Sequence, residues 1–198
     1  LIPKISMRRV LPPLLCISLI LFFSAIIFNK FQTVSAAVAT NVVISEIQAS
    51  GAASTEDFIE LYNPTSSDIN LGDMRLVKRT ADGATDTDIV VFSASDVIPA
   101  HGFYLWCNSS IAATLVCDKS STDTVSNNNS VGLRNEPTNT GALVDAVSFG
   151  TVTNTLGEEA SLTIPTASTS VERKANSTST EASMGSGGAD ELLGNGED

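Results

Sequence analysis

The chain has 198 residues, with 11 Lys and Arg against 22 Asp and Glu and a formal net charge of −11 at pH 7. Four of the basic residues, Lys4, Arg8, Arg9 and Lys30, lie in the first 39 positions, which hold no acidic residue, so from Thr40 onward 7 basic side chains face 22 acidic ones, a balance of −15. Such a surface repels nucleic-acid backbones and anionic lipid headgroups, excludes nucleic acid as a partner, and suits cations or basic partners.

Residues 1–36 read as an export signal followed by one ordinary domain. Lys4, Arg8 and Arg9 form the positive end, Leu14 to Phe28 is almost wholly apolar, and Val34-Ser35-Ala36 and Ala37-Val38-Ala39 offer the small residues a signal peptidase needs. Counted from Leu11, the apolar stretch reaches 18 residues, the lower edge of a membrane span. The alternative is an uncleaved anchor with its basic end in the cytoplasm, and only in that case is membrane contact expected. Met7, ahead of Arg8 and Arg9, is a more ordinary start than Leu1. Cys16 lies inside the apolar core, where a lipoprotein cysteine does not.

From residue 40 to 175 the chain is a succession of short strand-like runs. Val42 to Ile47 alternates, with Val43, Ser45 and Ile47 on one face and Val42, Ile44 and Glu46 on the other. Phe58 to Tyr62 follows, stopped by Asn63-Pro64. Met74 to Arg79, Ile89 to Phe92, Phe103 to Cys107, Val131 to Arg134, Leu143 to Phe149, Ala160 to Ile164 and Ser170 to Arg173 continue the pattern, separated by turn-formers such as Asp82-Gly83, Pro99-Ala100-His101-Gly102 and Asn139-Thr140-Gly141. No sustained 3.6-residue period appears, so the expected fold class is all-β, a sandwich or barrel. Phe58, Leu61, Leu71, Leu76, Phe92, Leu105, Leu133, Val144, Val147 and Phe149 are the expected core. The basic knot of Arg75, Lys78 and Arg79 is expected at a solvated strand edge. Residues 176–198, rich in Ser, Thr, Gly, Asn and acidic side chains, read as a flexible tail.

Chemistry-bearing residues are few. Cys107 and Cys117 remain after the signal, and in an exported protein a pair is most simply a disulfide. Closing a loop of about 11 residues adds about 3 kcal/mol in the chain-entropy account. Asp82, Asp86 and Asp88 form a weak Ca²⁺ candidate without EF-hand spacing, against the plainer reading of an exposed acidic hairpin loop. No other metal and no organic cofactor is expected. His101 is the only histidine, in a turn, which argues against zinc hydrolysis, and no GxSxG turn is present. Glu46 and Glu60 on neighbouring strands are the one carboxylate pair that glycoside hydrolysis could use. Tyr104 and Trp106 share a strand face, either a sugar-stacking surface or part of the core. Asn108, Asn128 and Asn176 match the glycosylation acceptor pattern, a short motif that carries no weight by itself.

Taken together, VVISEIQ, DFIELYNPTSSDINLGDMRL, VIPAHGFYLW, SVGLRNEPTNTGALVDAVSFG and SVERK, spanning about Asn41 to Lys174, resemble the lamin tail domain in its secreted bacterial form. The resemblance implies an immunoglobulin-like β-sandwich, no catalytic motif, and a role in interaction rather than reaction. No heptad run of Leu is present, so filament assembly does not carry over. The expected function is a non-catalytic exported module of the cell surface or envelope, binding protein partners or another envelope component through sheet edges or through the Asp82 to Asp88, Ser120 to Ser130 and Gly51 loops. The alternatives are a glycan-binding accessory domain using Tyr104 and Trp106, or a small glycoside hydrolase.

Overall fold

The computed structural model describes residues 39–136, 141–157, 161–163 and 166–197. The expected signal at residues 1–36 lies outside the described residues, as do residues 160 and 164 at the two ends of the expected strand there. Among the described residues, no helix is long and apolar enough to cross a membrane.

The described residues form eleven strands: β1 (Val43–Gln48), β2 (Phe58–Tyr62), β3 (Ile69–Asn70), β4 (Met74–Thr80), β5 (Thr87–Val91), β6 (Val97–Ile98), β7 (Phe103–Asn108), β8 (Lys119–Ser121), β9 (Asn129–Asn135), β10 (Ala142–Ser148) and β11 (Val171–Glu172). One sheet runs β11-β1-β2-β7-β8, the second runs β10-β9-β4-β5, and β3 pairs with β6 in a small ribbon. All pairings among these strands are antiparallel except β7 with β8. This is an immunoglobulin-like β-sandwich.

The inner faces of the two sheets bury one apolar cluster that includes Ile47, Ile59, Leu61, Leu76, Trp106 and Leu133. Leu71, Phe92 and Phe149 are buried as expected, and Val144 and Val147 pack partly buried against the cluster. Phe58 and Leu105 are half-buried on the outer face instead. Strand alternation requires this, because their neighbours Ile59 and Trp106 point inward.

A bulge between Ile44 and Glu46 changes the expected faces of β1. The extra residue lets both Ile44 and Ile47 enter the core, and the Ser45 hydroxyl turns outward to donate to Glu60 Oε1 at 2.8 Å. The expected grouping of Ser45 with Ile47 therefore fails, because strict alternation does not survive a bulge.

Asn63 explains the turn after β2. Its buried side-chain amide donates to the carbonyls of Ser67 (2.8 Å), Ile98 (3.2 Å) and Pro99 (3.0 Å), while Oδ1 accepts from Thr65 N (2.9 Å). One side chain thus holds two loops at the end of the sandwich.

One expectation about charge is corrected. Arg75 is not at a solvated edge: it is only 1% exposed, donates to the Glu136 carbonyl at 3.1 Å and pairs with Asp88. Its register partners in the middle of the sheet, Val91 and Arg134, surround it with chain on both sides. The C-terminal segment, expected as a flexible tail, lies against the domain. Thr180 caps a short helix α1 (Glu181–Met184), and Gly194, Asn195 and Gly196 are buried against the sandwich.

Candidate interaction surface

The outer face of the five-stranded sheet carries an unusual row. Glu46 is the register partner of Glu172 on one side and of Glu60 on the other. Like charges directly opposite one another destabilise a sheet. Burial, opposed by a Ser170 hydrogen bond and reinforced by Glu172, raises the pKa of Glu46 above the usual carboxylate range. Burial also raises that of Glu60, with Ser45 opposing it and Glu46 and Glu172 adding to it. The six ion pairs among the described residues all use Asp: Asp88, Asp123, Asp86 twice, Asp96 and Asp145.

A cavity of about 480 Å³ lies beside Glu46 and Glu172, where β1 and β11 meet the β10 edge of the second sheet. Glu60 is not among its lining residues. The expected hydrolytic pair Glu46 and Glu60 therefore stands side by side on a sheet face rather than across one cleft, the arrangement that glycoside hydrolysis needs. At the same edge Arg173 Nη2 donates to both oxygens of Asp145 at 3.0 Å, and Asp145 Oδ2 accepts from Ile44 N at 2.6 Å. This clamp ties β11, β10 and β1 together.

The Ca²⁺ candidate residues do not converge. Asp86 is buried between Arg79 (2.7 Å) and Arg134 (2.6 Å), Asp88 pairs with Arg75, and Asp82 accepts from the Thr153 hydroxyl at 3.0 Å. The basic side chains of β4 and β9 take the carboxylates that a cation would need. No group of three or more His, Cys, Asp or Glu among the described residues is placed to hold a metal.

Tyr104 and Trp106 form no ligand face. Trp106 is 0% exposed and Tyr104 5%, both in the core, with Trp106 Nε1 donating to Ser121 Oγ at 3.3 Å. Tyr104 donates to Asp96 at 2.7 Å and meets the Phe92 ring edge-on at 5.6 Å between centroids. Burial and the Asp96 hydrogen bond push the Tyr104 hydroxyl well above the usual tyrosine range. Burial alone would raise the Asp96 carboxyl, but hydrogen bonds from Lys119, Ser93 and Tyr104 hold it well below the usual carboxylate range. His101 sits in the Pro99 to Gly102 turn with a φ of 54°.

Cys107 and Cys117 are joined by a disulfide, with Cα atoms 6.0 Å apart. The loop between them, Asn108 to Val116, holds no charged residue, and Val116, its last residue, is 97% exposed. The sequence contained this signal in the run Ile111 to Val116, a hydrophobic stretch too short and too tightly closed to be a core strand. Sequence reasoning missed Asp57. Its side chain is fully buried, its Oδ2 accepts from Val125 N at 2.7 Å, and its Oδ1 has no hydrogen-bond partner. Burial raises its pKa to about 6, against the lowering effects of Val125 and Lys78.

A fold of this kind, two mainly antiparallel sheets packed around one apolar core, defines an immunoglobulin-like domain. The lamin tail domain profile matches residues 35–151, more than half of the chain, and the chain belongs to the lamin tail domain family. That family is an immunoglobulin-like, non-enzymatic group of domains that generally mediate protein interactions. A search of curated proteins gave no match.

Proposed function

We propose that this chain is an exported, non-catalytic interaction module working at the cell surface or in the envelope, and that the Asn108 to Val116 loop is the part that meets a protein partner. The observation that carries this reading is Val116, a large apolar side chain 97% exposed beside Cys117 in an uncharged, disulfide-closed loop. Apolar groups held rigidly outward favour docking, because less ordering entropy is lost on binding. The disulfide and the basic, apolar N-terminal sequence support export. The strongly acidic balance favours a partner with basic character around an apolar pocket.

The test is a pull-down with the full chain as bait against its own cell-envelope extract, with purified cell-wall glycan in parallel. The expected result is a protein retained by the wild-type chain and lost with Val116→Asp. Retention unchanged by Val116→Asp, or retention of glycan alone, overturns the reading.

A further inference from the structure

The C-terminal segment occupies a peptide-shaped slot. Ala39 N donates to the Gly196 carbonyl at 3.0 Å, Glu197 N donates to the Lys174 carbonyl at 3.1 Å, and Arg173 Nη1 donates to the Glu197 carbonyl at 3.0 Å. Residues 196–197 thus lie as an extended piece of backbone between the lead-in to β1 and the end of β11. Before them, Gly194 lies on the ring of Tyr62 with a φ of +79°, and a Cβ there would stand 2.2 Å from the Tyr62 hydroxyl. Only glycine fits both that conformation and that approach. Tyr62 is 5% exposed under this cover, in a small cluster with Val43 and Ala39, and stacks at 4.8 Å against Phe103, which is 44% exposed at the rim. Asn195 Nδ2 donates to Glu172 Oε1 at 2.8 Å.

This strap is poorly matched to its seat in charge. The last ten residues hold four acidic side chains and no basic one, on a body in which residues 40–188 carry 7 basic and 18 acidic side chains, a balance of −11. The one side-chain contact it makes with the end of the glutamate row is through a neutral amide, where a cationic donor would form a shorter, roughly twofold stronger hydrogen bond. The segment is held by being tethered, which gives it an effective concentration in the millimolar range.

We propose that residues 194–197 are a built-in occupant of a peptide-docking slot, and that the slot's partner is an extended segment of another polypeptide carrying Gly over Tyr62 followed by Lys or Arg facing Glu172. The partner adds backbone hydrogen bonds at Ala39 N and the Lys174 carbonyl, as strand addition does at open sheet edges. This deepens the reading of the chain as an interaction module and rests on it, but it uses a different surface from the Val116 loop.

The probe is a labelled decapeptide with the sequence of residues 189–198 carrying Asn195→Lys, titrated by fluorescence anisotropy against the full chain. Gly194→Val in the chain evicts the strap, since a β-branched side chain suits neither the +79° φ nor the Tyr62 ring. That variant is expected to bind the probe at least about tenfold more tightly than the wild type, as release from a tethered competitor requires. Asn195→Asp, which sets a carboxylate against Glu172, opens the slot by a second route and is expected to do the same. Gly187→Val is the control: the same φ of +79°, but nothing within 4 Å, so binding stays at the wild-type level. Equal affinity of the wild type and both opened variants, or no binding by either variant while its near-ultraviolet circular dichroism is unchanged, overturns the proposal. Neither outcome bears on the Val116 pull-down, so the two readings fail separately.

Discussion

Glu46 stands directly opposite Glu60 on the outer face of the five-stranded sheet, with Glu172 opposite Glu46 on its other side. Three carboxylates in a row across three antiparallel strands oppose the ordinary preference for opposite charges in such positions. The arrangement is tolerated because Ser45 and Ser170 donate to the row and because burial and mutual repulsion favour the protonated forms.

The first prediction follows from that row. Replacing Glu46 by Gln removes the repulsion while keeping an acceptor for Ser170. At pH 7 the variant is expected to be more stable than the wild type by about 0.5 kcal/mol, allowing for solvent screening of these half-buried groups. The folded-state pKa values are raised, so the wild type gains stability as the pH falls through them toward the unfolded value. The variant's advantage should therefore shrink to nothing near pH 4. Thermal melts of both chains at pH 4 and 7 check this, and a variant less stable at pH 7 would show that Glu46 holds the sheet together.

Asp57 gives a second, larger pH effect. Burial lifts its folded-state pKa to about 6, above the ordinary aspartate value of 3.8. The folded state then binds a proton more tightly than the unfolded state, and stability falls as the pH rises between the two values. A difference of about two units corresponds to roughly 3 kcal/mol. Asp57→Asn keeps an oxygen for Val125 N and is neutral at every pH. It is expected to be more stable than the wild type by about 2 kcal/mol at pH 8 and indistinguishable from it at pH 4, by urea denaturation. A constant difference across that range would remove Asp57 as the titrating group.

The strands with unbroken alternation and a firm stop were legible in the sequence. Phe58 to Tyr62 ends where expected because Asn63 uses its whole side-chain amide to close the turn. The extra residue in β1 was not legible, since a bulge is set by what lies across the ladder rather than by local pattern. Strands β3, β6 and β8, each two or three residues long, are too short to show any period. The burial of Arg75 was hidden for another reason: its partner Asp88 comes from the next strand, and a sequence shows charges but not their neutralisation. The seating of Gly194 on Tyr62 was equally hidden, because Ser- and Gly-rich composition signals looseness and one close-packed glycine does not alter it.

Asp86 supplies the third prediction. It is buried between Arg79 and Arg134, and removing it leaves two guanidinium groups facing each other with no counter-charge. Asp86→Ala is expected to cost about 3 kcal/mol, the range found when one member of a buried charged cluster is removed. Millimolar Ca²⁺ should leave the melting temperature of the wild type unchanged, since the arginines already hold the carboxylates a cation would need. A Ca²⁺-dependent rise in melting temperature that Asp86→Ala abolishes would reverse this assignment.

The disulfide supplies the last. Cys107 lies in the middle of the sheet edge formed by β7 and β8, with Ser120 as its parallel register partner, and Cys117 is only two residues upstream of β8. The bond thus fixes where β8 enters the sheet as well as closing the Val116 loop. Asp118 reinforces the same junction: its backbone N–H donates to the Leu105 carbonyl at 2.9 Å, and its Oδ2 accepts from Leu105 N at 2.7 Å. Because these hydrogen bonds persist without the disulfide, Cys117→Ser is expected to keep the fold while losing about 3 kcal/mol, the loop-closure value for a ring of this size. Most of that loss should be reproduced by adding reductant to the wild type, and reductant should have no effect on the double variant Cys107→Ala, Cys117→Ser. Urea melts with and without dithiothreitol measure both quantities. If the reduced wild type melts where the oxidised one does, the bond contributes nothing to stability, and its role is confined to holding the Val116 loop.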